Sequence, residues 1–174
     1  MKNIVFIVVL SLWIFQIFPQ TSPAIAEIET LFSPGAGIHE SILKQMESTA
    51  STLDLAIHGI TSLDMAEALV KAKQRGVKVR IVADSKQAKL KTSQINTLIH
   101  QGITVKVLGG KEKGVMNHRF AIFDGKRVLT GSFDWSEASA KWNYENLLMI
   151  HESETVANFQ REFERLWREK RVIK

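Results

Sequence analysis

The 174-residue chain contains no cysteine, so no disulfide framework or thiolate metal site can exist, although an oxidising compartment is tolerated. Its histidines after the leader region, at 39, 58, 100, 118 and 151, fall at no metal-ligand spacing. Repeats, low-complexity tracts and linkers that would mark a second domain are also missing, and the length suits one domain with a real core. Charge is absent between Asn3 and Ala26. Lys2, the apolar run Ile4–Phe18 and Ala24-Ile25-Ala26 before Glu27 give the layout of a secretory signal over residues 1–26. An N-terminal membrane anchor is the alternative, but an anchor needs about 20 apolar residues, and Pro19 to Pro23 interrupt the run. We therefore expect a secreted or periplasmic protein with one domain over residues 27–174.

What is present is a mildly basic chain, formal charge +5, of which cleavage after Ala26 would remove only Lys2. That balance suits a phosphate-bearing partner such as nucleic acid or an anionic lipid surface, and equally a soluble basic protein with neither. The pattern predicts strands at Ile28–Phe32, Leu53–Ile57, Val77–Ala83, Ile103–Leu108, Phe120–Phe123, Arg127–Leu129 and Leu147–Ile150. Helices are expected from about His39 to Thr49, from Thr61 or Ser62 through Arg75, from Thr92 or Ser93 to Gly102, and from Ser153 to Lys170. Asp124-Gly125 between two strands signals a tight hairpin. Strand and helix alternate and then give way to a hairpin. That order predicts one α/β domain, a mixed central sheet with helices on both faces.

The chemistry gathers between Met116 and Asn146. This stretch resembles the signature of the phospholipase D superfamily: His, any residue, Lys, four residues, Asp, then Gly-Ser-any-Asn, then a Glu-Asn pair. The spacing is matched by Asn117, Arg119 and Asp124, by Gly131-Ser132-Phe133-Asp134, and by Glu145-Asn146. The likeness extends to Leu31–Gly35, Thr61–Leu69, Lys73–Val82 and Gly102–Val105, and is closest to the small single-motif nucleases. Three positions depart from the pattern: Asn117 replaces the nucleophilic His, Arg119 the Lys, and Asp134 the Asn.

The resemblance implies a metal-independent, cofactor-free phosphodiesterase acting on nucleic acid or phospholipid. It implies a homodimer with one composite site, in which one His becomes a phosphohistidine and the other protonates the leaving group. By the same likeness Asn117, Arg119 and Asp124 stand at catalytic positions, with Ser132, Asp134, Glu145 and His118 near the substrate. A carboxamide is neither a nucleophile nor a proton shuttle near neutral pH, so Asn117 implies impaired activity. Arg119 can still grip phosphate bidentately. Asp134 opposes anion binding unless Arg119 pairs with it. Strand alternation turns His118 away from Asn117 and Arg119. Asp124 reads either as support for the site or as the turn residue before Gly125. Trp135 and Trp142 could stack on a base or simply pack. The alternative to an enzyme is a non-catalytic phosphate-binding dimer.

Overall fold

Alternation along Lys78–Asp84 sends Val79, Ile81 and Ala83 to one side of a strand and Arg80 and Val82 to the other, and both sides are covered. The computed structural model describes residues 28–35 and 37–170; the expected signal over residues 1–26 lies outside the described residues. One seven-stranded sheet is formed by β1 (Ile28–Ser33), β2 (Thr52–Ile57), β3 (Lys78–Asp84), β4 (Thr104–Leu108), β5 (Arg119–Phe123), β6 (Arg127–Gly131) and β7 (Glu145–Ile150). Its order is β1-β7-β6-β5-β2-β3-β4. β2, β3 and β4 run parallel, and every other pairing is antiparallel. The sheet is mixed, as expected.

Helices α1 (Ile38–Ser48), α2 (Leu63–Gln74) and α3 (Ile95–His100) cover one face. Their stripes Ile38-Ile42-Met46, Met65-Ala66-Leu69-Ala72 and Ile95-Leu98 meet Leu53, Leu55, Ile57, Val79 and Ile81. The other face is covered by α5 (Ser153–Arg168), whose Val156, Phe163 and Leu166 pack on Ala56, Val82, Phe120, Ile122 and Val128. Each fully buried side chain of this size contributes roughly 1.5–3 kcal/mol by leaving water. No helix among the described residues is long and apolar enough to cross a membrane.

Local signals account for most boundaries. The Ser62 hydroxyl accepts the Met65 N–H at 3.4 Å and starts α2, which Gly76 ends at φ 96°. α3 starts later than Thr92 or Ser93: the Ser93 hydroxyl accepts the Ile95 N–H, and the Gln94 N–H is drawn to the Ile60 carbonyl at 2.8 Å. The segment before α3 is thereby held as a turn, preceded by a single 3₁₀ turn at Gln87–Lys89. A short helix not expected from the sequence, α4 (Glu137–Lys141), is capped by the Ser136 hydroxyl on the Ser139 N–H. The hairpin is as read, with Asp124 at φ 53° and Gly125 at φ 64°. These pairings place the ends of β2, β3, β4 and β6 and the starts of β5 and β7 along one edge of the molecule.

Candidate active site

Arg119 opens β5 opposite Ile57, the last residue of β2. His58 follows, and its Nδ1–H donates to the Met116 carbonyl at 3.2 Å, the tautomer that this acceptor requires. From the other side the Met116 N–H donates to Asp84 at 3.0 Å. Asp84 is fully buried at the end of β3 and also accepts the N–H groups of Lys86 and Gln87, at 2.9 and 3.0 Å. Both backbone groups of the residue before Asn117 are thus clamped. Asn117 itself stands exposed at the edge of a groove of about 480 Å³, whose lining includes Leu108, Lys111, His118, Arg165 and Leu166. Asp84 was not among the expected site residues. Its only signal is a carboxylate closing an alternating strand, placed to accept N–H groups two and three residues on.

Beside Asn117, Arg119 meets Asp134 fork to fork: Nε lies 2.5 Å from Oδ1 and Nη2 3.3 Å from Oδ2. The Asp134 carboxylate has drawn the guanidinium onto itself. Next to this pair, the Ser132 hydroxyl donates to Glu145 at 2.5 Å and accepts the Asn146 N–H at 3.1 Å. Glu145 also accepts from the Ser139 hydroxyl at 2.9 Å and the Asn143 amide at 3.0 Å. Burial pushes the Glu145 carboxyl up, but the donors Ser132, Asn143 and Ser139 and the Arg119 charge outweigh it and hold the group below its usual range. Glu145 therefore orients its neighbours as an anion, and Ser132 spends its one proton on Glu145. Gly131 permits this packing, because a Cβ there would lie 2.2 Å from the Asn146 carbonyl oxygen.

Two expected residues sit apart from this group. His118 faces α5, as strand alternation requires: its Nε2 is 3.1 Å from Glu162, and its ring meets Phe120 edge to face at 5.4 Å. Hydrogen bonds from Arg165 hold Glu162 below the usual carboxylate range; burial opposes them and His118 adds to them. Asp124 lies at the far end of β5, roughly 17 Å from Arg119 at about 3.3 Å per residue. Trp135 is 4% exposed and packs in the core, its carbonyl accepting the N–H groups of Thr61 and Ser62. Arg119, Ser132, Asp134 and Glu145 are the residues that the fold gathers, while Asn117, two positions before Arg119, lines the groove together with His118. Ser139 and Asn143, which hold Glu145, were not singled out from the sequence as site residues.

Residues 42–167 match the family described as Cardiolipin synthase, PLD-like domain. A mitochondrial cardiolipin hydrolase of Mus musculus is 36% identical over 128 residues, which cover 74% of this chain and 57% of that protein. The chain spans about half the length of the curated relatives it matches. NucT from Helicobacter pylori superposes with a TM-score of 0.73 at 27% identity, over 81% of this chain and 96% of NucT. A phospholipase D family member, Nuc from Salmonella typhimurium, shares the fold with a TM-score of 0.77 at 24% identity, over 86% of this chain and 99% of Nuc.

Proposed function

This chain belongs to the phospholipase D superfamily, and from that premise we propose that it is a phosphodiesterase of that family whose hydrolytic power is impaired. Its site forms across two copies of the chain, exported and freed of residues 1–26. One observation supports the reading: by motif spacing the position of the family's attacking imidazole holds the amide of Asn117, and the preceding Met116 is held at both its N–H and its carbonyl. In the family's reaction the attacking imidazole takes the phosphoryl group while a second imidazole gives a proton to the leaving oxygen. Asn117 in both copies removes the two roles together. The Arg119–Asp134 pair lowers phosphate affinity further, because a ligand must displace a carboxylate already in the fork. Asp124 supports the scaffold from the far end of β5, and His118 lines the same groove as Asn117. The name of the mouse relative supports a phospholipid diester among the substrates to be tried.

The test is hydrolysis of single-stranded DNA, duplex DNA, phosphatidylcholine and cardiolipin in EDTA. It compares the unmodified protein with Asn117→His/Arg119→Lys/Asp134→Asn. The triple variant should hydrolyse one of these diesters at least about 10³-fold faster than the unmodified protein. A covalent phosphoryl adduct on the unmodified chain during turnover, or no gain in a well-folded triple variant, would overturn the reading.

A second reading rests on Arg119, which keeps N–H donors beyond the two that Asp134 takes. It describes a dimer that binds phosphodiesters without cleaving them. Salt-dependent affinity without turnover, persisting in the triple variant, would favour it.

A further inference from the structure

The loops that leave β3 and β4 rise beside the Asn117 groove and carry charge of nearly one sign. Residues 85–94 hold Lys86, Lys89 and Lys91 and no carboxylate; residues 109–115 hold Lys111 and Lys113 against Glu112. All five lysines are exposed, and among the described residues none of them is in an ion pair. The loops leave adjacent parallel strands, and the backbone ties them together. The Ser85 N–H donates to the Leu108 carbonyl at 2.8 Å, while Asp84 holds the N–H groups of Lys86, Gln87 and Met116 at once. The second loop is itself closed by the Gly110 N–H on the Gly114 carbonyl and the Gly114 N–H on the Lys111 carbonyl. The cations therefore project from ordered backbone. Each loop also turns an aliphatic side chain to solvent: Leu90, between Lys89 and Lys91, is 48% exposed, and Val115 is 40% exposed.

We propose that these two loops form a docking surface for an anionic phospholipid bilayer, with the lysines against the headgroups and Leu90 and Val115 entering the acyl boundary. Five lysines on two adjoining loops fall within the cluster size that draws a protein onto such a membrane. Aliphatic tips add affinity by leaving water, in the manner of interfacial anchors. A nucleic acid is the poorer fit. It is gripped by arginine forks and by aromatic rings on which bases stack, and residues 85–94 and 109–115 contain neither Arg nor an aromatic residue. Docked this way, the Asn117 groove faces the headgroup layer, because Asp84 fixes both loops and Met116 together. The surface needs no turnover, so it holds whether or not Asn117 supports catalysis.

The test is flotation of the full chain with vesicles of phosphatidylcholine alone and of phosphatidylcholine with phosphatidylglycerol. Any lipid affinity of residues 1–26 is common to every sample, so the difference between the two vesicles is the readout. Lys86→Gln/Lys89→Gln/Lys91→Gln should lose roughly a hundredfold in affinity for the anionic vesicles, at about fivefold per lysine. Lys111→Gln/Lys113→Gln, an independent change in the other loop, should lose roughly 25-fold on the same scale. Leu90→Ser should weaken binding several-fold. The proposal is overturned if the unmodified protein shows no preference for anionic vesicles, or if neither lysine variant changes that preference while melting as the unmodified chain does. Loss of single-stranded DNA binding with vesicle binding intact would instead assign the loops to nucleic acid.

Discussion

Asp124 accepts four hydrogen bonds within 3.0 Å: from the N–H groups of Ala50, Ser51 and Thr52 and from the Ser51 hydroxyl. Burial pushes its carboxyl up, but the donors from Ala50, Thr52 and Ser51 prevail and hold it at about 2, against an ordinary 3.8. A folded value below the unfolded one gives stability that is present above pH 3.8 and is lost as the pH falls through about 2. Partial exposure screens the effect, so we expect about 1–2 kcal/mol at neutral pH. Asp124→Asn isolates the carboxylate, because Asn also tolerates the positive φ at this turn. Urea melts of the two proteins should differ by that amount at pH 7 and converge between about pH 4 and pH 2. A gap that does not close on acidification would remove the charge from the account. The dipeptide Asp124-Gly125 was legible as a turn because its neighbours in sequence decide it. That the carboxylate would reach Ala50, Ser51 and Thr52, more than seventy residues away, had no local signal.

α5 is pinned to the sheet by charge as well as by its apolar stripe. Arg80 on β3 donates to both oxygens of Asp54 at 2.7 Å and to Glu164 at 2.6 Å, and its guanidinium lies 4.9 and 5.2 Å from the ring centroids of Phe163 and Trp167. Gln160 donates to the same Asp54 at 2.8 Å. Asp54 is 4% exposed, so removing its partner strands a carboxylate away from water. Arg80→Met should cost about 3–5 kcal/mol in urea unfolding, more than a surface ion pair of the same geometry. A cost under about 1 kcal/mol would mean that water reaches Asp54. The stripe Val156, Phe159, Phe163, Leu166 and Trp167 was legible because sixteen residues give the 3.6-residue period room to show. α4 was not, since five residues span little more than one turn. At the site, the spacing from 117 to 146 was legible in the chain, whereas the Asp84 clamp on Met116 joins residues 32 apart and needed the fold.

At the scale of the whole molecule, the end that carries Ser132 and Glu145 also carries three aromatic side chains left to solvent. Phe32 is 63% exposed, Trp142 68% and Tyr144 91%. Phe32 sits across from Asn146 in the β1–β7 pair, and Tyr144 directly precedes Glu145, which faces Ser33. Burying such rings would release several kcal/mol on a flat contact between two copies, more than scattered polar contacts supply. This is where we place the contact of the proposed dimer. A two-fold axis there would bring each Asn117–Arg119 edge toward its counterpart, with the same patch used on both sides. Sedimentation of the unmodified protein should give a dimer, and Trp142→Glu/Tyr144→Glu a monomer whose melting temperature moves by only a few degrees. Placed in the Asn117→His/Arg119→Lys/Asp134→Asn background, the same pair of changes should abolish the recovered hydrolysis. Mixing that monomer with a dimer-competent chain still carrying Asn117 should not restore it, because a composite site needs an imidazole from each side. Full activity in a sedimenting monomer would show that one copy suffices, and the aromatic patch would then need another partner.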